Sequence, residues 1–319
     1  MAAVTTRPER VLNKVAIIAV LLITLIFLAP IYWITSTAFK PRNLATTIPP
    51  TIAFQPEVSP FVKLFTKRSQ LRAPATPEEY EAAPWWERLV FDGGEKVVRS
   101  GRGEIQLSGY PNRFMNSLII AITSTILAVG MGTFTAYGFS RFKIAGEADL
   151  LFFILSTRMM PPIAVAIPIY LMYRELGLSD TALGMILLYT AVNVSLAVWL
   201  LKGFIDEIPR EYEEAAMVDG YTRLQAFRKV VLPQATTGIA ATAIFCLIFA
   251  WNEYAFAALL TSGTAQTAPP FIPTIIGEGG QDWPAVAAGT TIFLVPILVF
   301  TILLRKQLLR GITFGAVRK

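Results

Sequence analysis

Apolar residues in this chain are gathered into six long blocks, at 15–38, 114–139, 149–173, 181–204, 236–260 and 285–304. A helix that crosses a bilayer needs roughly 20 consecutive, mostly apolar residues, and each block is long enough. Most are apolar on every side, unlike the one-sided stripe of a surface helix in a soluble domain. The pattern predicts an all-α integral membrane protein with about six transmembrane helices. It also divides the chain: a tail at 1–14, a first helix at 15–38, a long loop at 39–113, a five-helix core at 114–304 that holds a polar loop at 202–235, and a tail at 305–319. The first block is longer than the roughly 7–15 apolar residues of a signal peptide. Pro30-Ile31-Tyr32-Trp33 stands where a small-residue cleavage site would be, so a retained helix is expected.

Composition agrees. The chain is 54% hydrophobic and 16% charged, against about 25% charged in soluble domains. It has no histidine, which removes histidine metal ligands, His-based triads and imidazole relays. Its one cysteine, Cys246, cannot form an internal disulfide. The net charge of +6 reads as membrane topology rather than nucleic-acid binding, and no nucleic-acid partner is expected. Lysine and arginine gather in the first tail (Arg7, Arg10, Lys14), after the second block (Arg141, Lys143), after the fourth (Lys202, Arg210, Arg223, Arg228, Lys229) and in the last tail (Arg305, Lys306, Arg310, Arg318, Lys319). Only Arg174 follows the third block, and no basic residue follows the fifth. The positive-inside bias therefore predicts both termini in the cytoplasm and the loop 39–113 outside. Pro49-Pro50, Pro74, Pro77, Pro84 and Gly93-Gly94 argue against a seventh span in that loop. Its Trp85-Trp86 and Leu89-Val90-Phe91 fit either a small core or a short amphipathic helix on the membrane or a partner.

The loop from Phe204 to Pro233 is too polar to span and too patterned for a linker. Pro209 stands where a helix can start, Glu211, Glu213 and Glu214 suit its positive N-terminal end, and Gly220 lies where it should stop. A second helix is expected over 222–231, with Leu224, Phe227 and Val231 on one face and Pro233 ahead of the next span. Two short helices around a glycine would make a knob under the membrane. Small Ala215 and Ala216 would let another surface approach, although packing on the protein's own helices would use the same pattern.

The residues Glu214-Ala215-Ala216, Asp219-Gly220, Phe227 and Leu232-Pro233 resemble the EAA loop of ABC-importer permeases. The resemblance extends from Asn112 to the C-terminus through Asn116-Ser117-Leu118, Arg158-Met159-Met160-Pro161-Pro162, Trp199-Leu200 and Phe249-Ala250-Trp251-Asn252-Glu253. It is strongest with the carbohydrate-uptake branch that contains the smaller maltose-importer permease. The segment 66–108 has no expected counterpart there, and Tyr221 stands where a small residue is usual.

The resemblance implies the type I importer permease fold in a bacterial inner membrane. It implies a second permease, a different chain in this branch, two ATPase subunits docked on the EAA loops, and an external solute-binding protein. Glu213, Glu214, Ala215, Ala216, Asp219, Gly220, Phe227, Leu232 and Pro233 become the candidate ATPase-coupling residues. ATP and magnesium are expected on the partners, with no cofactor or metal in this chain, and the solute would be a sugar, oligosaccharide, polyol or derivative. The residues agree to this extent: no G-x-x-x-x-G-K-[ST] phosphate loop occurs.

Polar residues inside apolar spans are costly and usually face a cavity or a partner. Arg158, Met159, Pro161, Pro162, Asn193, Asn252 and Glu253 are the candidate pathway or gate residues. Pro161-Pro162 and Pro168 should break the third span and free backbone carbonyls. Arg158 and Glu253 could line a path, pair with each other or, for Arg158, reach the interface; in straight helices their depths differ by about 10 Å. Asn193 and Asn252 could serve a solute or neighbouring helices. A secondary transporter or channel without an ATPase is the alternative, but it leaves the EAA loop unexplained. A membrane enzyme would need a catalytic set that these residues do not supply.

Overall fold

The computed structural model describes residues 7–277 and 280–314, with side chains from 13 to 277 and from 280 to 303. Five helical runs are long and apolar enough to cross a bilayer: Asn13–Thr37, Tyr110–Arg141, Ala182–Asp206, Arg223–Trp251 and Trp283–Leu303. Glu147–Met159 and Pro162–Glu175 pass the same test together as a pair bent by 90°, which brings the spans to six if the pair is one crossing. The chain divides into two compact units, Met1–Ser108 with Thr274–Ile292 and Gly109–Pro273 with Phe293–Lys319.

The first unit holds α1 (Arg7–Thr37), α2 (Arg42–Ala45), α3 (Ser59–Phe65), α4 (Pro77–Ala82) and α5 (Trp85–Phe91). Strands β1 (Arg68–Gln70) and β2 (Glu95–Val97) pair antiparallel, with Arg68 opposite Val97. Strands β3 (Ile276–Gly277) and β4 (Gly280–Gln281) form a second ribbon. From Val15 to Tyr32 the apolar side chains of α1 are exposed on every side, a surface suited to lipid. The tryptophan-rich block folds as α5: Val90 is buried, Glu87 is buried and paired with Arg99 at 2.5 Å, and Trp85 is exposed. Glu95 takes Arg68 at 2.5 Å and Lys63 at 3.5 Å, and Arg68 reaches Asp282 at 3.3 Å. Lys63, Glu95 and Asp282 are buried and Arg68 is partly so, and buried charges persist only when paired in this way. The network ties the stretch 39–108 to the stretch 274–292 within one unit.

The second unit holds α6 (Tyr110–Arg141), α7 (Glu147–Met159), α8 (Pro162–Glu175), α9 (Ala182–Asp206), α10 (Arg210–Val218), α11 (Arg223–Ala226), α12 (Leu232–Trp251), α13 (Ala255–Leu260) and α14 (Ala268–Phe271). The helix α15 (Trp283–Phe314) begins in the first unit and continues in the second. Helices α6 and α9 pack along much of their length, and α12 lies against both. Gly132 makes this approach possible: a Cβ there would stand 2.6 Å from the Cβ of Ala197, whereas Gly130 and Gly138 face open space.

Two expected spans differ in detail. The third breaks at Pro161-Pro162, but Pro168 lies inside α8 without interrupting it. Pro168 is exposed, so its ring points away from the packed side. The fifth ends at Trp251 rather than running to 260, and α13 follows as a separate piece. Asn252 Nδ2 turns back to the carbonyl of Ile248 at 2.8 Å. Glu253, expected late in the span, lies in the break, where its carboxylate accepts the amides of Phe256 (2.8 Å) and Ala257 (3.0 Å) at the start of α13. A carboxylate that satisfies the first amides of a new helix favours a restart over continuation.

Candidate functional site

Helices α10 and α11 form the hairpin read from the sequence, with Gly220 between them. Gly220 has φ +92, a conformation that costs any residue with a Cβ. The turn closes with the amide of Gly220 on the carbonyl of Met217 (3.1 Å) and that of Tyr221 on Ala216 (3.0 Å), the double bond of a Schellman ending. Thr222 then caps α11 reciprocally with Gln225, which sets where the second arm begins. That arm differs from the simple helix expected over 222–231. After Ala226 it passes through a π-helical turn, Phe227–Val231, and continues into α12. Leu232 and Pro233, expected to end a turn ahead of the next span, lie in the first turn of α12. A proline is tolerated there because the π-turn just ahead of it already interrupts the regular ladder.

Helical periodicity splits the four consecutive candidates of α10 between two faces. Glu214 and Ala215 are exposed with Tyr212, Val218, Asp219 and, from α11, Leu224, so the hairpin presents an apolar surface edged by acids. Val218 is 87% exposed, far from what burial within this chain would give. Ala216 and Phe227 face inward. Glu213, expected beside Glu214 on the docking face, is buried. Its carboxylate accepts Tyr137 Oη at 2.8 Å and Arg141 Nε, both from the end of α6. Arg141 also donates to the carbonyl of Ile208 at 2.9 Å and to Ser140 Oγ at 2.8 Å. Arg210 donates to the carbonyl of Ser140 at 2.6 Å, and Ser140 Oγ donates to Asp206 of α9 at 2.5 Å. Phe227 sets its ring, tilted, 4.5 Å from that of Tyr137 and 5.4 Å from that of Phe134. The hairpin is therefore seated on the ends of α6 and α9 by one ionic cluster, buried at Glu213 and Ser140 and open to the surface at Asp206 and Arg210, and by one aromatic cluster.

The second group of candidates lies in the spans. Arg158, in the last turn of α7, donates through Nη1 to the carbonyl of Val192 at 3.2 Å and to Asn193 Oδ1 at 3.4 Å. Its guanidinium lies 4.0 Å from the ring centre of Phe249. Asn193 is buried and donates to the carbonyl of Cys246 at 3.3 Å, so it joins α9 to α12 as well as to α7. Met159, Pro161 and Pro162 are exposed at the bend. Two prolines in succession deny the carbonyls of Thr157 and Arg158 their usual in-helix donors. The structure thus places guanidinium N–H groups, two such carbonyls and an amide side chain around one broken span. Asn252 is exposed. Glu253 accepts Tyr189 Oη at 2.7 Å.

At the ends of α8 and α13, Asp180 makes a third arrangement. Its carboxylate accepts the amides of Ser262 (3.2 Å), Gly263 (3.1 Å), Thr264 (2.9 Å) and Ala265 (3.3 Å). Partial burial pushes this carboxyl upward, but the four amides outweigh it and hold it below the ordinary aspartate value. Asn116 Nδ2 donates to the carbonyls of Thr264 (2.7 Å) and Gln266 (3.0 Å), and Ser117 Oγ accepts the amide of Ala268 at 2.9 Å. The loop 261–268 is pinned from both sides.

Residues 128–312 match the family described as the binding-protein-dependent transport system inner membrane component. The chain belongs to this family. These inner-membrane permeases are multi-pass proteins, and the matched range contains both the hairpin and the broken span. The chain is 36% identical to the trehalose transport system permease protein SugB of Mycobacterium tuberculosis, over 72% of this chain and 82% of that one. It is 28% identical to a probable ABC transporter permease, y4oR, of Sinorhizobium fredii, over 92% of this chain and 91% of that one. A match over 92% of the chain extends across residues 66–108, the segment without an expected counterpart. A bacterial ABC transporter involved in the import of the acidic polysaccharide alginate superposes with TM-score 0.66 at 19% identity, over 95% of this chain and 98% of that one. That likeness speaks to the fold.

Among the residues that seat the permease's hairpin, Tyr137, Ser140 and Asp206 were not legible as partners, and Arg141 read only as a topology charge. Asp180 and Tyr189 were not singled out at all. Each is an ordinary helix or loop residue in sequence, and its significance comes from groups 64 to 85 positions away.

Proposed function

We propose that this permease imports a sugar or a related polyhydroxylated solute by alternating access. In this reading ATPase subunits dock on the α10–α11 hairpin, a second permease of different sequence pairs with the chain, and an external binding protein delivers the solute. Both termini and the hairpin lie in the cytoplasm, as the distribution of lysine and arginine favours. ATP and its magnesium sit on the partner subunits; this chain supplies the surface that receives their movement.

The observation that carries the reading is the outer face of the hairpin. Tyr212, Val218 and Leu224 are each more than half exposed, with Glu214 and Asp219 beside them. An apolar centre with a charged edge is the composition of a protein docking surface. The sugar assignment draws on the functions of relatives. Besides the trehalose permease, they include a diacetylchitobiose uptake permease of Streptomyces coelicolor and a trehalose/maltose permease of Thermococcus litoralis. The polar groups at the broken third span suit such a solute: guanidinium N–H groups donate to hydroxyl oxygens and carbonyls accept hydroxyl protons. Selectivity is shared with the binding protein and the second permease. A secondary transporter would leave the hairpin's exposed apolar face without a purpose.

The test is co-purification from detergent with the products of neighbouring genes, then ATP hydrolysis in proteoliposomes with binding protein and a panel of sugars and polyols. The expected result is a complex with an ATPase and a second permease, stimulated by one loaded binding protein. A chain that purifies alone and transports without ATP would overturn the reading.

A further inference from the structure

Glu213 and Glu214 are consecutive acids in the same short helix, and the structure turns them in opposite directions. Glu214 is exposed on the face offered to the ATPase. Glu213 is 3% exposed, and its carboxylate is held by Tyr137 and Arg141 of α6. Arg141 is equally buried and is fixed at its other nitrogens by Ile208 and Ser140. A buried ion pair with its remaining donors satisfied is stiff. Removing one partner strands a charge, so the pair resists being pulled apart.

We infer that Glu213 is a positioning residue for energy coupling: through Tyr137 and Arg141 it transmits displacement of the ATPase-docked hairpin to the cytoplasmic end of α6. This rests on the reading of the hairpin as the ATPase-docking element. Three further features support it. The connection at the other end of the hairpin is a π-helical turn, whose wider hydrogen-bond ring interrupts the regular ladder. The ionic cluster extends to α9 through Ser140 and Asp206, so α6 and α9 would move together with α10. And α9 carries Val192 and Asn193, the groups that hold Arg158 at the broken span. A push on α10 therefore has a continuous route to that span, through the buried Glu213–Arg141 pair, the Ser140–Asp206 bond at the helix ends and the packed helix α9.

The experiment uses the assembled importer in proteoliposomes. It compares wild type, Glu213→Ala, Arg141→Ala, the exchange Glu213→Arg with Arg141→Glu, and Glu214→Arg. Three quantities are read: ATPase retained on purification, ATP hydrolysed, and solute moved per ATP. For Glu213→Ala the ATPase should stay bound while solute moved per ATP falls about tenfold, since the tie is cut and a guanidinium is stranded. The exchange should recover at least part of that loss. Glu214→Arg should instead release the ATPase. Unchanged transport per ATP in both alanine variants would overturn the inference. So would loss of the ATPase from Glu213→Ala that the exchange does not restore, because Glu213 would then serve docking itself. Where the alanine variants do not accumulate, the milder Glu213→Gln with Tyr137→Phe decides: a normal ratio of transport to hydrolysis overturns the inference and a reduced one supports it. A wild-type complex that holds no ATPase would refute the docking reading instead, a result distinct from all of these.

Discussion

Arg158 and Glu253 attach to the same helix three residues apart: Arg158 bonds the carbonyl of Val192 and Glu253 accepts the hydroxyl of Tyr189. No ion pair joins them among the described residues. Each therefore has a separate local job. Glu253 is satisfied by Tyr189 and two backbone amides, which makes it a structural joint between α12 and α13. Arg158 has a carbonyl, an amide oxygen and an aromatic face, with no carboxylate. Arg158→Ala is expected to leave the protein inserted and the complex assembled while uptake falls about tenfold or more, as for loss of one charged contact worth ~1.5–3 kcal/mol. Tyr189→Phe should lower thermal stability in detergent with a much smaller effect on uptake per folded protein. Initial uptake rates beside melting curves separate the two, and equal behaviour of the two variants would contradict this division.

Gly220 sets up the second prediction. Nothing lies within 4 Å of where its Cβ would be, so a larger residue meets no clash; the constraint is the backbone at φ +92. A β-branched residue pays roughly 1–2 kcal/mol for a left-handed backbone, and here it would reshape the turn that aims α11. Gly220→Val is expected to insert normally and to lose most coupled transport, whereas Gly220→Asn, which tolerates positive φ, should keep more of it. The relevant measurement is uptake normalised to chain in the membrane. Full uptake with valine would show that the turn geometry is dispensable.

How far the sequence led can be judged at single residues. The hairpin, its glycine and the break at Pro161-Pro162 were all legible because each depends on local rules: helix formers, caps, and missing donors. The inward turn of Glu213 was not, because Glu213 and Glu214 have the same local chemistry and only the position of α6 distinguishes them. The end of the fifth span at Trp251 was hidden for a related reason: the apolar run continues to Leu260, and the break is decided by where the Glu253 carboxylate finds amides. In the first unit, Lys63, Arg68, Glu95 and Asp282 looked like ordinary loop charges, and only tertiary pairing makes them a core.

Asp180 gives a pH prediction. Its carboxyl is held below the ordinary aspartate value by the amides at 262–265 against the opposing effect of burial. A depressed carboxyl stabilises the fold fully above the unfolded-state value of about 3.9, and that contribution is lost as pH falls through the lower folded value. The window therefore lies in acid, below about pH 4. Asp180→Asn should melt lower than wild type at neutral pH, and the gap should close as pH falls toward 3. Gly263→Ala should mimic the loss at neutral pH, because its Cβ would come within 2.7 Å of the Asp180 carboxylate. Melting curves that stay equally separated at all pH values would remove Asp180 from this role.

The glycines of α6 offer the last prediction, a contrast between neighbours. A Cβ on Gly132 would approach the Cβ of Ala197 to 2.6 Å and the backbone carbonyl carbon of the same residue to 3.2 Å, so α6 and α9 would have to separate. Gly130 is two residues away and faces open space. Overpacking of a close helix contact costs typically 1–3 kcal/mol, whereas alanine for glycine on a free helix face gains up to about 1 kcal/mol. Gly132→Ala should therefore destabilise the protein and Gly130→Ala should leave it equal or more stable. The consequence extends beyond stability, since α6 and α9 carry both anchors of the hairpin and α9 carries the partners of Arg158. If the two helices act as one body, Gly132→Ala should also reduce transport per ATP hydrolysed. Equal effects of the two substitutions would mean that the close contact at Ala197 does not set the spacing of this pair.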